Sequence, residues 1–281
     1  MHQNGHSMTT EDVEINILLE AIYQQYGYDF RQYNRASITR RIRNFLNKTG
    51  NNRISELIPL ALHDAGVFKS LINSISVTVT EMFRDPFVYR MIRKKVVPYL
   101  RTYPAINIWV AGCATGEEIY SLAILLKEEG IYDRTQIFAT DINEESIAVA
   151  EEGIFSADTT RTNTNNYHAS GGKHSFNEYY FTKYGKTMMN RELKKNVVFS
   201  THNLSVDSVF NEMQMIFCRN VLIYFTRDLQ NRVLKLFDDS LINNGFLVLG
   251  TKEDIQFSII AGNCNVIGKS EKIYQKKWSG K

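Results

Sequence analysis

From Ile106 onward the sequence alternates short apolar runs with amphipathic stretches, and that alternation limits the fold more than any other feature. Residues 106–111, 136–140, 196–200, 214–218 and 246–249 read as strands, while 117–129, 144–151 and 226–241 read as helices. This order predicts a parallel sheet covered by helices. Asn244 and Gly245 predict a turn before the strand at 246–249, and the tail 265–276 a final hairpin strand. A chain of 281 residues has room for such a domain and a smaller one. No apolar run approaches the roughly 18–20 residues of a membrane span, and the start, MHQNGHSMTT, lacks the basic-then-apolar pattern of a secretion signal. Cys113, Cys218 and Cys264 are too few and too scattered for a disulfide framework or a CxxC metal site. A cytoplasmic enzyme or binding protein is expected.

The first 75 residues read instead as helices. Ile15, Leu18, Leu19, Ile22, Tyr23 and Tyr26 follow the i, i+3, i+4, i+7 spacing of an amphipathic helix. A second helix is expected from a cap at Ser37 to a stop at Gly50, burying Ile38, Ile42, Phe45 and Leu46. Two short helices fit 54–62 and 67–75. Seven basic residues and no acidic one lie between Arg31 and Arg53, although the whole chain carries 33 basic and 30 acidic residues. That cluster fits either a solvated helix face or a docking surface for an acidic partner. Residues 76–85, rich in β-branched side chains, read as an extended linker, with Asp85 and Pro86 as cap and first residue of the next helix. Between Gly153 and Lys195 the alternation fails: a polar run at 159–166 is followed by Tyr167, Phe176, Tyr179, Tyr180, Phe181 and Tyr184. A loop of that length is improbable in a compact domain, so a small inserted β-subdomain is expected.

Ligands of a doubly wound sheet bind at the carboxyl ends of its strands. Residues 112–116 (GCATG) occupy that place after the first strand, either as a ligand loop or as a plain tight turn. Glu117 and Glu118 follow at the helix start, where they would repel a pyrophosphate. They suit a positively charged ligand without phosphate, such as S-adenosylmethionine, or they simply favour the helix dipole. Asp141, 25 positions after Gly116, stands where nucleotide-binding sheets place a carboxylate for ribose hydroxyls, and could equally cap the following helix. Asn203 fits an adenine contact or a turn. Arg219 and Asn220 end an apolar strand at the same edge, and a buried arginine there demands a specific partner.

Six segments, in order, resemble the chemotaxis receptor methyltransferases of the CheR family. They are ITRRIRNFL (38–46), VTVTEMFRDP (77–86), WVAGCATGEEIYSLAILL (109–126), FATDIN (138–143), HNL (202–204) and IFCRNVLIYF (216–225). The resemblance implies an α/β fold: a Rossmann-like S-adenosylmethionine-dependent methyltransferase domain with an inserted small antiparallel β-subdomain, preceded by a small all-α domain. Its boundaries are expected at residues 1–75 for the helical domain, with the first nine or so disordered, 76–89 for the linker, and 90–281 for the methyltransferase domain, with the insert at about 153–195. It implies methyl transfer from S-adenosylmethionine to glutamate side chains of chemoreceptors, giving γ-glutamyl methyl esters and S-adenosylhomocysteine. Matching positions imply cofactor contacts from Thr78, Thr80, Arg84, Gly112, Glu117, Glu118, Asp141, Asn203, Leu204, Arg219 and Asn220. Arg84 and Tyr224 match the residues nearest the transferred methyl, and Arg40, Arg41 and Arg43 match a face that docks on the acidic receptor region. Thr78 stands where many relatives carry asparagine, and Ile119 replaces a usual proline. No metal, nucleic acid or membrane insertion is implied; in some relatives the insert binds a receptor's C-terminal peptide.

A glutamate carboxylate is ionised at neutral pH and can attack a methyl sulfonium without a general base. Positioning is therefore the expected source of catalysis, with Arg84 orienting and Tyr224 holding the acceptor. Two other functions fit the sequence: a methyltransferase for RNA or a small molecule, favoured by the basic cluster, and a silent cofactor-binding adaptor.

Overall fold

The fold, taken from a computed structural model, is described for residues 8–78, 80–208 and 212–278. Val79, within the segment read as a linker, lies outside that set, as do residues 1–7. Contacts divide the chain into two compact units: the described residues up to Val77 together with Tyr224–Leu229, and Thr78–Ile223 together with the chain from Gln230 onward.

The first unit is built on α1 (Thr10–Tyr26), α2 (Arg35–Thr49), α3 (Leu57–His63) and α4 (Ala65–Ile75). Thr9, expected in an unstructured start, caps α1. Its hydroxyl accepts from the Asp12 N–H at 3.1 Å, and Asp12 accepts back from the Thr9 N–H at 3.3 Å. The cap of α2 is Asn34 rather than Ser37. Asparagine caps at least as well as serine, and from three positions earlier its oxygen accepts the Ser37 N–H at 3.2 Å. Ile15, Leu18, Leu19 and Ile22 of α1, Ile38, Ile42 and Phe45 of α2, and Leu71 and Ile72 of α4 form its core. Tyr224–Leu229 joins through the Asn34 N–H to the Tyr224 carbonyl at 2.6 Å and the Thr226 N–H to the Gln32 carbonyl at 2.9 Å.

The second unit begins with α5 (Pro86–Met91), which runs through one wider turn into α6 (Val97–Leu100). Then follow β1 (Ile106–Ala111), α7 (Glu117–Glu128), β2 (Thr135–Asp141) and α8 (Glu144–Glu152). The insert supplies β3 (Ile154–Ser156), α9 (Thr160–Ala169), β4 (Tyr180–Lys183) and β5 (Lys186–Met189). The chain ends with β6 (Val197–Thr201), β7 (Met213–Cys218), α10 (Arg227–Ser240), β8 (Leu241–Leu249), β9 (Cys264–Gly268) and β10 (Ile273–Lys276). Among the described residues the main sheet has the order β6-β2-β1-β7-β8-β10-β9, parallel from β6 to β8 and antiparallel at the β8-β10-β9 end. Sequence order reverses beside β1, so the loops after β1 and β7 lie at the switch point where such sheets bind ligands.

Three expectations change. Asp85 has a left-handed backbone (φ 56°) and makes no side-chain cap for α5; its carboxylate is drawn instead to Arg219. Within the segment expected as an extended linker, 76–89, Met82, Phe83, Val88 and Tyr89 are buried in the second unit's core. Asn244 and Gly245 do not separate a helix from a strand: β8 runs through them, with Asn244 left-handed (φ 62°) where the β7–β8 register shifts.

The insert forms a three-stranded antiparallel sheet, β3-β5-β4, yet much of it is helical. The polar run at 159–166 is largely α9, and its polarity serves the loop beside it. Asn163 Oδ1 accepts the Met82 N–H at 3.2 Å, and Asn166 Nδ2 donates to the Met82 carbonyl at 3.1 Å. The aromatics assigned to strands divide: Tyr167, Phe176 and Tyr179 pack in the core, whereas Tyr184 sits in the β4–β5 turn with 90 % exposure. Glu128, with 1 % of its side chain exposed, ties the insert to α7. It accepts from the Tyr167 and Tyr179 hydroxyls and the Lys173 N–H, and pairs with Arg93 at 2.5 Å. Burial pushes its carboxyl up, but the Tyr167 hydroxyl, the Lys173 N–H and Arg93 together hold it below the usual range. The Tyr167 phenol is correspondingly pushed up to about 12 by burial and by that carboxylate.

A carboxylate with a depressed folded-state pKa adds stability above its unfolded pKa of about 4.3, and that stability is lost as pH falls through the folded value. Glu128→Gln is therefore expected to cost about 3 kcal/mol near neutral pH. In urea titrations its deficit against wild type should close below about pH 4; a deficit constant down to about pH 2.5 contradicts the pairing as its cause.

Candidate active site

The loop after β1 is shaped by contacts that exclude side chains. Gly112 is left-handed (φ 75°), and a Cβ there would lie 2.5 Å from Val221 Cγ2; a Cβ at Gly116 (φ 99°) would lie 2.7 Å from Ala150 Cβ. The first glycine admits the loop after β7, and the second admits α8. The Gly112 and Cys113 N–H groups both donate to the Thr140 carbonyl, and the Ala114 N–H donates to Asp141 Oδ2 at 2.9 Å.

Asp141 thus closes β2 against the β1 loop. It does not cap α8, since Asn143 does so by accepting from the Glu145 and Ser146 N–H groups. Burial raises the Asp141 carboxyl, partly offset by the N–H groups of Asn143 and Ala114. The two glutamates at the start of α7 differ. Glu118 is paired with Arg219 at 2.6 Å. Glu117 accepts the Thr115 hydroxyl at 2.7 Å, has no ion-pair partner among the described residues, and is pushed up by burial. An uncompensated carboxylate at this edge is the group that suits a cationic ligand.

Arg219 has 1 % of its side chain exposed and lies between Glu118 and Asp85, each at 2.6 Å. Burial opposes its charge, but Glu118 and Asp85 outweigh burial and hold it protonated. The sequence demanded a partner for this arginine; the structure supplies two, and Asp85 had been assigned to another task. Asn220 is left-handed (φ 61°), its N–H donating to Glu253 Oε2 at 3.0 Å. Asn203 forms a turn, with its Oδ1 accepting the Ser205 N–H at 3.0 Å and its own N–H donating to Asp207 at 2.6 Å. Leu204 beside it is buried. The Thr78 carbonyl accepts the Thr115 hydroxyl at 3.4 Å, and Thr80 is half-buried.

Arg84 is half-buried and has no hydrogen bond or ion pair among the described residues. Its neighbours fix it from both sides. Phe83 (φ 52°) is fully buried and donates its N–H to Ser121 Oγ at 2.8 Å, while Asp85 holds Arg219. Two left-handed non-glycine positions, one on either side of Arg84, cost free energy that the surroundings must offset.

Tyr224 falls in the segment counted with the first unit. There the Arg41 guanidinium lies 5.9 Å from its ring centroid and donates at 3.4 Å to the Ser74 and Ser76 carbonyls. Arg41 is thus turned inward. Arg43 pairs with Glu11 at 2.5 Å, Arg35 with Asp12 at 3.2 Å and Arg31 with Asp29 at 2.9 Å, so acidic residues outside the basic stretch offset much of it. Arg40 is exposed and unpaired among the described residues.

With this geometry in place, the comparisons decide the family. The model for the CheR methyltransferase all-alpha domain matches residues 14–76, and that for the CheR methyltransferase SAM binding domain matches residues 78–276. The chain belongs to the CheR methyltransferase family. The Pseudomonas putida protein Cher3, named as a methyltransferase without a stated substrate, is 48% identical over 272 residues, covering 96% of this chain and 100% of that protein. The chemotaxis protein methyltransferase of Borreliella burgdorferi is 29% identical over 86% of this chain and 88% of its own. That of Salmonella typhimurium is 26% identical over 88% and 85%. The cofactor of this CheR-family chain is S-adenosylmethionine. Sequence reasoning missed Asp85 as partner of Arg219, and Glu253, which lies just beyond the apolar run 246–249 at the same edge of the sheet.

Removing one member of the Arg219 cluster strands the others. Arg219→Met is expected to destabilise by about 3 kcal/mol in chemical denaturation, with much of that recovered when Glu118→Gln and Asp85→Asn are added. No recovery in the triple variant would show that Arg219 acts through packing alone.

Proposed function

We propose that this chain transfers the methyl group of S-adenosylmethionine to glutamate carboxylates of chemoreceptors, forming γ-glutamyl methyl esters. One observation carries this proposal beyond family membership: Arg219 is ion-paired with both Asp85 and Glu118, while Arg84, next to Asp85 in the chain, is left without any anionic partner among the described residues. A braced, unpaired guanidinium is suited to orient an incoming carboxylate. Relatives named as chemotaxis protein methyltransferases support that class of acceptor.

When bound, S-adenosylmethionine supplies a methyl group activated by a sulfonium. The residues present fit such a group. Asp141 offers carboxylate oxygens for the ribose hydroxyls, Glu117 offers negative charge without a competing cation, and Gly112 leaves backbone open where a side chain could not stand. Thr78, Thr80, Asn203, Leu204, Arg219 and Asn220 complete the proposed contacts. Arg84 orients the acceptor carboxylate, and Tyr224 holds it through its hydroxyl. The acceptor is already ionised, so neither residue needs to remove a proton. Arg40 is the remaining exposed docking cation of the three first assigned, with Arg43 balanced by Glu11 and Arg41 engaged internally. That same balancing weakens the case for RNA, which rested on the basic stretch. No helix among the described residues is long and apolar enough to cross a membrane.

Incubation with labelled S-adenosylmethionine and receptor cytoplasmic fragments is expected to give protein-bound label that mild base releases as methanol. Cofactor binding with no label on any receptor would instead indicate an adaptor. Arg84→Ala should lower kcat/KM by about 100-fold, a loss of about 2.7 kcal/mol in transition-state stabilisation, and Tyr224→Phe by about tenfold. An Arg84→Ala enzyme working at the wild-type rate removes Arg84 from the mechanism.

A further inference from the structure

Beyond β8, the carboxylate of Glu253 is 4% exposed and makes no ion pair among the described residues. Its charge is met by backbone N–H groups alone. Oε2 accepts from Gly250 at 2.6 Å and from Asn220 at 3.0 Å, and Oε1 accepts from Ile223 at 3.3 Å, with the Leu222 N–H also bonded to the carboxylate. Three of these four donors belong to the loop after β7, the loop that carries Arg219 and Asn220. Asn220 adopts there a left-handed conformation (φ 61°), which asparagine tolerates better than most non-glycine residues. Gly250 is shaped to the same clamp: a Cβ on it would lie 2.7 Å from both the Asn220 nitrogen and Glu253 Oε2.

A buried carboxylate with no cation nearby is costly unless its oxygens are filled, and here the filling groups are the N–H donors of a ligand-edge loop. A core position needing only volume would be apolar. We infer that Glu253 is a positioning residue for cofactor binding: it fixes the backbone from Asn220 to Ile223 so that Arg219 and Asn220 stand in their binding geometry before the cofactor arrives. This rests on the proposed cofactor contacts of Arg219 and Asn220. Glutamine at 253 would turn an amide N–H toward a backbone N–H, leaving one donor unsatisfied while nearly preserving volume. Alanine at 250 would disturb the same clamp by contact, with the carboxylate intact.

The test measures S-adenosylhomocysteine binding by calorimetry on the full chain, at a temperature where circular dichroism shows every variant folded. Leu126→Ala, a buried truncation at the far end of α7, serves as the control for general destabilisation. Glu253→Gln and Gly250→Ala are each expected to weaken binding at least tenfold, while Leu126→Ala stays within about twofold of wild type for a comparable fall in melting temperature. Should Glu253→Gln not fold, Gly250→Ala decides. Binding within twofold of wild type in the folded clamp variants overturns the positioning role, as does an equal loss in Leu126→Ala. Wild-type binding that survives Arg219→Met and Asn220→Ala unchanged would instead fault the underlying contact assignment.

Discussion

The buried guanidinium of Arg219 is the tie on which the ligand edge of the sheet depends. It comes from the loop after β7, yet its two partners come from elsewhere: Glu118 from the first turn of α7 and Asp85 from the loop before α5. Three segments distant in sequence are thereby joined by two charge-assisted contacts in a place shielded from water. Such an arrangement gains little net stability over an apolar substitute, because the desolvation of the charges is large. What it provides is a fixed mutual placement of the three segments, since separating them would strand a buried charge. The same tie leaves Arg84 projecting from between two left-handed residues and free of anionic neighbours.

A second feature works in the same way at the other side of the β7 loop. Glu253 accepts the N–H groups of Asn220, Leu222 and Ile223, so that loop is held through its own cation, Arg219, and through its backbone at Glu253. Glycines at 112, 116 and 250 let the pieces approach closely, each where a Cβ would collide. Rigidity of this kind suits a reaction in which reactants need alignment more than acid or base assistance.

Much of this was legible in the sequence because it is local. Strand–helix alternation gave β1, β2, β7 and the helices between them, and Asp141 was placed at the edge by its distance from Gly116. What escaped was non-local. Asp85 followed by Pro86 looks like a helix cap until Arg219, 134 positions away, claims the carboxylate. The asparagine-rich start of α9 looks like low complexity until Met82 appears beside it, its N–H donating to Asn163 and its carbonyl accepting from Asn166. The basic stretch around α2 looked uniformly positive because Glu11 and Asp12, which offset Arg43 and Arg35, lie 32 and 23 positions before those partners. Glu253 could have been noticed by its position at the end of an apolar strand, but nothing in the sequence states that its partners are backbone groups.

The proposed methyl transfer requires the site to orient an already ionised carboxylate and needs no general base. The most direct test is the pH dependence of single-turnover methyl transfer to a receptor fragment at saturating cofactor. Between about pH 6.5 and 9 an acceptor glutamate stays ionised and no proton has to be removed from it, so the rate is expected to be flat. A rate that rises tenfold per pH unit across part of that range would reveal a group that must lose a proton, and would contradict catalysis by orientation alone.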